Sequence, residues 1–339
     1  MKPLAGPYSI IDTHQHFWSG GAGYHATAFL PDDYLALATG TGVEATVFAE
    51  CRTHYDESLP ADLQSTGETR FAASIGAAHA DTPVELAAAI LAHADPFAGH
   101  LPFDAILDAH TAVAGGRLRG IRRCVAWDED DRLNYAQLGT WRNMLGDPRA
   151  RQAARTLADR GLLFEVWLYH PQIDELTTLA RAVPQCRFVL NHAGTPLASG
   201  RHAGAPDTIG QWREAMARLA EQGNVHVKLG GLVTPGTTLD ARRTVRGLGR
   251  WTAAALAEEL APYMSHLLDR FGADRCLFES NFPVDQAHCD FDILLSAYLA
   301  TLTERSEAER AAVMGGNAWR LYALGRTCKH NRKEERNDV

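Results

Sequence analysis

The sequence predicts an α/β protein folded as a (β/α)8 barrel. Two observations predict it: apolar, β-branched runs recur along the 339 residues, and longer segments of helical composition lie between them. About eight such runs are present, which is the number of strands in a closed barrel. The predicted strands are residues 9–16, 44–51, 71–77, 118–126, 162–169, 187–191, 225–229 and 276–280.

The segments between these runs predict helices. Ala, Leu, Glu and Arg recur in them at helical spacing. Ser306 is the predicted N-cap of a last helix over residues 306–324, because acidic residues follow it in the first turn. The other predicted helices are residues 83–91, 149–160, 211–221 and 256–269.

Composition and charge limit the classes of function. With 46% hydrophobic residues the chain can fill one large core, so we expect a single barrel domain over residues 1–325 and a polar, flexible tail over 326–339. A net charge of −8 gives no basic surface for nucleic acid. No segment has the length of a membrane span or the apolar centre of a signal peptide, which predicts a cytoplasmic protein. The six cysteines are scattered, which predicts reduced thiols.

The first predicted strand ends in Asp12-Thr13-His14-Gln15-His16. Side chains alternate between the two faces of a strand, so His14 and His16 point the same way, with Asp12 one step behind. Two imidazoles on one face are what a metal ion or a pocket for an acidic substrate needs. A lone histidine near a strand end is usually structural, but strand packing does not require a pair. The pair therefore predicts a functional site.

Other predicted strands also end in polar residues. The active site of a parallel barrel lies at the carboxyl ends of its strands, so polar residues there are candidates for it. Each could by itself be structural, as a cap or in a salt bridge, but together they predict one site. The strands contribute Glu50, Arg122, His170, His192, Lys228, Glu279 and Asn281.

These residues belong to an ordered series of motifs. D-x-H-x-H lies on strand one, G-I-R on four, H-P on five, N-H-A-G on six, V-K-L-G-G-L on seven and S-N-F-P-V-D on eight. The series resembles the amidohydrolase superfamily, and most closely its amidohydrolase-related lactonases, the group of fuconolactonase, sulfomuconolactone hydrolase and pyrone dicarboxylate lactonase. The resemblance covers about residues 9–324. It implies a distorted (β/α)8 TIM barrel and hydrolysis of a small, usually anionic, substrate.

The resemblance also implies roles for single residues. His14 and His16 match paired histidines that bind a divalent metal in most members, and His170 resembles a metal ligand of the related decarboxylases. His192 matches the histidine that polarises the substrate carbonyl. Arg122 is a candidate clamp for a substrate carboxylate, because a guanidinium offers a bidentate fork.

Asn281 departs from the family pattern, which has an aspartate at that position. An amide cannot accept a proton from water at neutral pH, and it is a poorer ligand than a carboxylate for a dication. The first possibility is that Glu50 or Glu279 is the general base, with Glu50 slightly favoured because it lies nearer the expected mouth. Both could instead form salt bridges with a basic neighbour, namely Arg52, Arg122 or Lys228.

A metal-free hydrolase is the second possibility that Asn281 leaves open, since one lactonase branch polarises the carbonyl with cationic and imidazole groups. The third is a different reaction, the metal-dependent non-oxidative decarboxylation of an aromatic or enoic acid, or a barrel retained only for ligand binding. Products distinguish these cases, because lactone opening consumes base without releasing gas, decarboxylation releases carbon dioxide, and a binding protein does neither.

The leading prediction is a hydrolase that opens a small anionic or sugar-acid lactone. Water attacks a carbonyl polarised by a metal or by His192. The metal expected is zinc or manganese, held by His14, His16 and His170, with Asn281 or water completing the shell. A metal-free mechanism is the alternative.

Two further residues are candidates for contact with substrate. Trp18 is predicted to line the pocket, although aromatic residues near barrel mouths often serve packing. Lys228 is predicted to contact substrate or to pair with Glu279 or Glu50. The partner expected is a small molecule, with no nucleic acid and no membrane, and the sequence leaves open whether the protein forms a homo-oligomer.

Overall fold

The computed structural model of the protein describes residues 9–21, 25–97, 99–135 and 138–325, and it confirms the predicted barrel. Eight strands form one parallel sheet whose order follows the chain from first to last. This order gathers the carboxyl ends of all strands at one mouth. The strands are β1 (Ile10–Gln15), β2 (Val43–Ala49), β3 (Glu85–Ala92), β4 (Leu118–Cys124), β5 (Leu163–Trp167), β6 (Phe188–Leu190), β7 (Val225–Lys228) and β8 (Cys276–Leu277).

The barrel is distorted where β8 meets β1. β8 has only two residues, and both pair with β7. Contact with β1 continues beyond β8, because the Asn281 backbone N–H donates to the His14 carbonyl at 2.9 Å and the His16 N–H donates to the Phe282 carbonyl at 3.0 Å. The segment that follows β8 therefore lies against the histidines of β1.

Helices cover the outside of the sheet, and their apolar faces pack on it. The predicted cap of the last helix is confirmed, since Ser306 Oγ accepts the backbone N–H of Glu309. The helices are α1 (Pro31–Ala38), α2 (Thr66–Ala78), α3 (Phe103–Val113), α4 (Pro148–Asp159), α5 (Ile173–Ala182), α6 (Thr208–Ala220), α7 (Thr238–Val245), α8 (Ala253–Phe271), α9 (Phe291–Thr301), α10 (Glu307–Ala311) and α11 (Asn317–Leu321).

The prediction for the third strand was wrong. Residues 71–77, predicted as a strand, lie in α2, and residues 83–91, predicted as a helix, largely form β3. Alanine favours helices, and β3 has the sequence ELAAAILA. Seven of its eight residues are buried, however, and a parallel strand covered on both faces is a continuous apolar run. The correction places His93, the residue after β3, at the mouth of the barrel.

The last predicted helix, residues 306–324, is interrupted. A π-helical turn over Ala312–Gly316 separates α10 from α11. A Cβ on Gly315 would collide with the Ser9 carbonyl, so the chain passes close to the start of β1 at this point.

The polar, flexible tail expected at the carboxyl-terminal end of the chain stays a prediction. The tail over 326–339 lies outside the described residues, and the domain boundary at 325 stays a prediction. Within the described ranges, no helix combines the length and apolar character needed to cross a membrane.

His110 predicts a pH dependence of stability. It is fully buried in α3, with Nδ1 at 2.8 Å from Thr69 Oγ1 and Nε2 at 3.3 Å from Ser65 Oγ. Burial lowers its pKa to about 4, so it stays neutral in the folded protein at a pH that protonates it in the unfolded chain. Acid therefore favours unfolding, and between pH 6.5 and 5 this residue should remove about 1.5 kcal/mol from the free energy of unfolding.

Urea unfolding at several pH values measures this effect. His110→Gln should flatten the dependence between pH 6.5 and 5, and the slope at pH 7 to 8 should not change. Equal slopes in the wild type and the variant below pH 6.5 would contradict the assignment.

Candidate active site

The paired histidines of β1 lie side by side and buried. Their ring centroids are 4.8 Å apart, and His16 Nδ1 donates to the Ala49 carbonyl at 2.8 Å, which makes Nε2 its other, unprotonated nitrogen. Burial lowers the pKa of both imidazoles well below 6.5, and the positive charges of Lys228 near His14 and Arg122 near His16 lower it further. Both rings are therefore neutral at pH 7 and can act as ligands or acceptors.

Asp12, the acid of the same motif, has a structural role. Its Oδ1 accepts the Ser280 backbone N–H at 2.8 Å, and its Oδ2 accepts the hydroxyls of Ser280 at 2.5 Å and Tyr34 at 2.7 Å. The hydrogen bonds of Asp12 therefore link β1 to the segment after β8 and to α1, and this linkage holds the histidines in place.

Glu279 and His192 form a second buried pair. Glu279 Oε1 accepts the His192 backbone N–H at 3.1 Å and the Gly230 N–H at 3.1 Å, and it lies 2.9 Å from His192 Nδ1. Burial acts to raise the pKa of Glu279, but the neighbouring His192 and Lys228 outweigh it and hold that pKa below its ordinary value. An ionised carboxylate only accepts hydrogen bonds, so Nδ1 carries the proton and Nε2 keeps a lone pair.

Two glycines after β7 make room for this pair. A Cβ on Gly230 would collide with the Glu279 side chain, and a Cβ on Gly231 would collide with the His192 ring. Gly231 also has φ +62°, which a larger residue adopts only with strain. The G-G of the strand-seven motif is thus a requirement of the site.

Three of these residues form the candidate metal centre. Among the described residues, His14, His192 and Glu279 are the group of histidine, cysteine and acidic side chains that could hold an ion, with ligand atoms within 4.8 Å of one another. His14 Nε2 and Glu279 Oε2 are buried without a hydrogen-bond partner. The 3.1 Å approach of His14 Nδ1 to Glu279 Oε2 lacks hydrogen-bond geometry. Imidazole nitrogens and a carboxylate oxygen suit zinc, and a bound cation would satisfy both orphaned atoms.

The predicted set of His14, His16 and His170 shares only His14 with this group. His16 adjoins His14, but His170 has other neighbours: its Nδ1 accepts the Leu197 N–H at 3.3 Å, and its ring lies 5.0 Å from that of His202. The metal-ligand roles of His16 and His170 stay predictions.

Glu50 and Arg122 form a buried ion pair at the same mouth. Arg122 Nη1 donates to Glu50 Oε1 at 2.9 Å and to the Glu50 carbonyl at 3.1 Å, and Nε donates to Asn191 Oδ1 at 2.9 Å. The structure thus contains a salt bridge of the kind predicted as the alternative role of Glu50. With two of its three nitrogens engaged, Arg122 does not offer a free bidentate fork, which weakens both its predicted role as a clamp and that of Glu50 as a base.

Lys228 has a different partner from the one expected. It is fully buried and forms an ion pair with Glu165 of β5 at 2.8 Å, whereas Glu279 and Glu50 were the partners considered as the alternative to substrate contact. It also donates to the Thr13 carbonyl at 2.5 Å. Its Nζ also lies 3.4 Å from His14 Nδ1, so Lys228 lies beside His14 and supports β1, and its predicted contact with substrate gains no support.

Asn281 and Trp18 both lie next to the histidines. Asn281 is buried two residues after Glu279, and its backbone N–H is bonded to the His14 carbonyl. The Trp18 ring is stacked on that of His16, with the two ring centroids 6.3 Å apart, and Trp18 Nε1 donates to the Thr27 carbonyl. Their functional roles stay predictions.

Three buried residues of the site were missed from sequence. His93 lies 4.0 Å from Glu50 Oε2, Glu165 pairs with Lys228, and Asp285 contacts Asn281. His93 was hidden by the error at β3, although Leu86–Ala92 followed by a histidine has the same form as the other strand ends. The sequence did contain a signal for Glu165, because an acidic residue inside an apolar strand needs a buried partner.

The fold and site together define a barrel enzyme with a histidine and carboxylate centre of the kind used in hydrolysis. A sequence model of the Amidohydrolase family matches residues 11–324, and the chain belongs to this family. It is a hydrolase, as predicted, and its resemblance to the lactonases of the family is confirmed by its relatives.

Those relatives match nearly the whole chain. The L-fucono-1,5-lactonase of Burkholderia ambifaria is 27% identical over 335 residues, with 93% of this chain and 96% of that protein covered. The L-fucono-1,5-lactonase of Burkholderia multivorans is 26% identical over 330 residues, with the same coverage. A crystal structure of a Burkholderia multivorans amidohydrolase with bound zinc superposes with a TM-score of 0.73 at 26% identity, covering 94% of this chain and all of that one.

Proposed function

We propose that this protein is a lactonase that opens a small sugar-acid lactone at the His14, His192 and Glu279 centre. The observation that carries the proposal is the bond between Glu279 Oε1 and His192 Nδ1, which leaves Nε2 of His192 as a proton acceptor. The lactonase names of the two relatives supply the reaction class.

The chemistry follows from this pair. Water attacks the lactone carbonyl, and its proton moves to His192 Nε2 while Glu279 stabilises the resulting imidazolium. The ring C–O bond then breaks, and the same proton passes to the leaving ring oxygen. The product is an open hydroxy acid, which ionises and releases one proton. Asn281 is not needed as a base in this scheme.

A divalent metal fits the same centre. His14 Nε2 and Glu279 Oε2 would hold it, since both atoms are otherwise unsatisfied, and Nε2 of His192 would stay free to accept the proton. Zinc is the first candidate because a relative binds it, and manganese is the second. When bound, such an ion polarises a carbonyl and lowers the pKa of water.

Charge at the mouth favours an uncharged lactone over a dicarboxylate. The guanidinium of Arg122 is already balanced by Glu50, so a substrate carboxylate placed there would have to compete with a buried ion pair. Hydroxyl groups of a sugar ring impose no such cost, since they can donate to Glu50 and accept from Arg122.

Proton release tests the proposal. Purified protein is mixed with L-fucono-1,5-lactone, other aldonolactones, 2-pyrone-4,6-dicarboxylate and 2,6-dihydroxybenzoate, and pH-indicator absorbance and carbon dioxide are followed together. Sugar lactones should release protons without gas, at a rate above that with Glu279→Gln, which corrects for spontaneous opening. Gas from the benzoate, or no enzymatic opening of any lactone, would overturn the proposal.

A further inference from the structure

The Asn281 side chain is held by two neighbours that the proposed chemistry does not use. Its Nδ2 donates to Asp285 Oδ1 at 2.9 Å and to Thr234 Oγ1 at 3.2 Å. The Thr234 hydroxyl donates in turn to the same Asp285 oxygen at 2.8 Å. The three side chains therefore form a closed set of hydrogen bonds.

Asp285 can accept the bonds from Asn281 and Thr234 in either protonation state, because one of its carboxyl oxygens is always an acceptor. Its side chain is 1% exposed, and Oδ2 has no hydrogen-bond partner. Burial raises its pKa to about 8, against the opposing effect of the Thr234 and Asn281 hydrogen bonds. A proton on Oδ2 leaves Oδ1 free to accept both bonds, and an ionised carboxylate accepts them equally.

These bonds determine the direction of the amide. An asparagine amide has two N–H donors, and both are engaged here, so the carbonyl oxygen Oδ1 occupies the side away from Thr234 and Asp285. The backbone at Asn281 has φ +58°, a conformation that asparagine tolerates better than most residues, and its N–H is bonded to β1. Both the main chain and the side chain of Asn281 are thus fixed.

We infer that Thr234 and Asp285 are positioning residues that aim Asn281 Oδ1 at the reaction centre, where it accepts a hydrogen bond from an O–H group. That group is the attacking water or a hydroxyl of the lactone ring. Asn281 orients this donor and takes no proton from it. The identity of the donor rests on the proposed function, whereas the direction of the amide does not.

The direction of the amide can be measured without a substrate. The NH2 signal of Asn281 is assigned by its loss in Asn281→Asp, and its hydrogen exchange is measured by NMR. Exchange should be slow in the wild type and in Thr234→Ser, which keeps the hydroxyl, and about tenfold faster in the isosteric Thr234→Val. Fast exchange in the wild type, or equal rates in Thr234→Ser and Thr234→Val, would overturn the inference.

Kinetics test whether the two residues act through Asn281. Thr234→Val should lower kcat/KM about tenfold in the wild-type background and have little effect in an Asn281→Ala background, whereas Thr234→Ser should keep the wild-type kcat/KM.

The choice of lactone identifies the donor. If Thr234→Val also lowers kcat/KM for δ-valerolactone, which has no hydroxyls, the donor is water. If it lowers kcat/KM for sugar lactones alone, the donor is a ring hydroxyl. Equal effects of Thr234→Val in both backgrounds would show a merely structural role. If the wild type opens no lactone, the proposed function fails while the exchange measurement still decides the direction of the amide.

Discussion

Glu279→Gln should lower kcat/KM for lactone opening by about a thousandfold. The carboxylate fixes the proton on His192 Nδ1 and stabilises the imidazolium that forms during the reaction. A glutamine offers either a neutral oxygen or an N–H group there, so His192 loses its charge partner and can take the wrong tautomer. The loss should appear mainly in kcat, because the ground-state lactone does not require an ionised partner.

Two comparisons make this prediction specific. His192→Asn should cause a similar loss, and the double variant should be no worse than either single one, since the residues act as a unit. Glu85→Gln is the matched control, because Glu85 lies at the opposite end of the barrel in an ion pair with Arg117. Additive losses for the pair, or full activity in Glu279→Gln, would mean that the proton passes elsewhere.

Lys228→Met should destabilise the protein by about 3–5 kcal/mol. Lys228 and Glu165 are both fully buried and lie 2.8 Å apart, so the variant leaves the Glu165 charge in the barrel interior without its cation. Hydrogen bonds from Tyr322 and Asn191 to Glu165 would remain, but neither donor carries a charge. Urea unfolding measures the change.

A second variant distinguishes an unpaired charge from a simple packing defect. Adding Glu165→Gln to Lys228→Met removes the stranded carboxylate and should recover a large part of the lost stability. A single variant within about 1 kcal/mol of the wild type, or a double variant that is the sum of two losses, would contradict the ion-pair interpretation.

The sequence was sufficient for the barrel and the general position of the site. Strand periodicity identified seven of the eight strands, and the polar residues after them meet at one mouth as expected. β3 was missed because its alanines favour a helix in local terms and only burial between two layers makes the segment a strand. That error also concealed His93.

Pairings within the site were harder to predict than its position. From the sequence, several charged residues were possible partners for Glu50, Lys228 and Glu279. Only the three-dimensional distances identify these partners as Arg122, Glu165 and His192, respectively. Side chains from different strands are set by register and barrel curvature, which a linear pattern does not contain. For the same reason Asp285, four residues after Asn281, was not recognised as its neighbour.

Anomalous diffraction at the zinc edge, from crystals grown with one equivalent of zinc chloride, tests the central claim most directly. We expect one peak in coordinating contact with His14 and Glu279, next to His192, and none in crystals of His14→Ala. A zinc peak at another group, such as His170, or no peak in a protein that opens lactones at full rate after chelation, would contradict a metal at this centre.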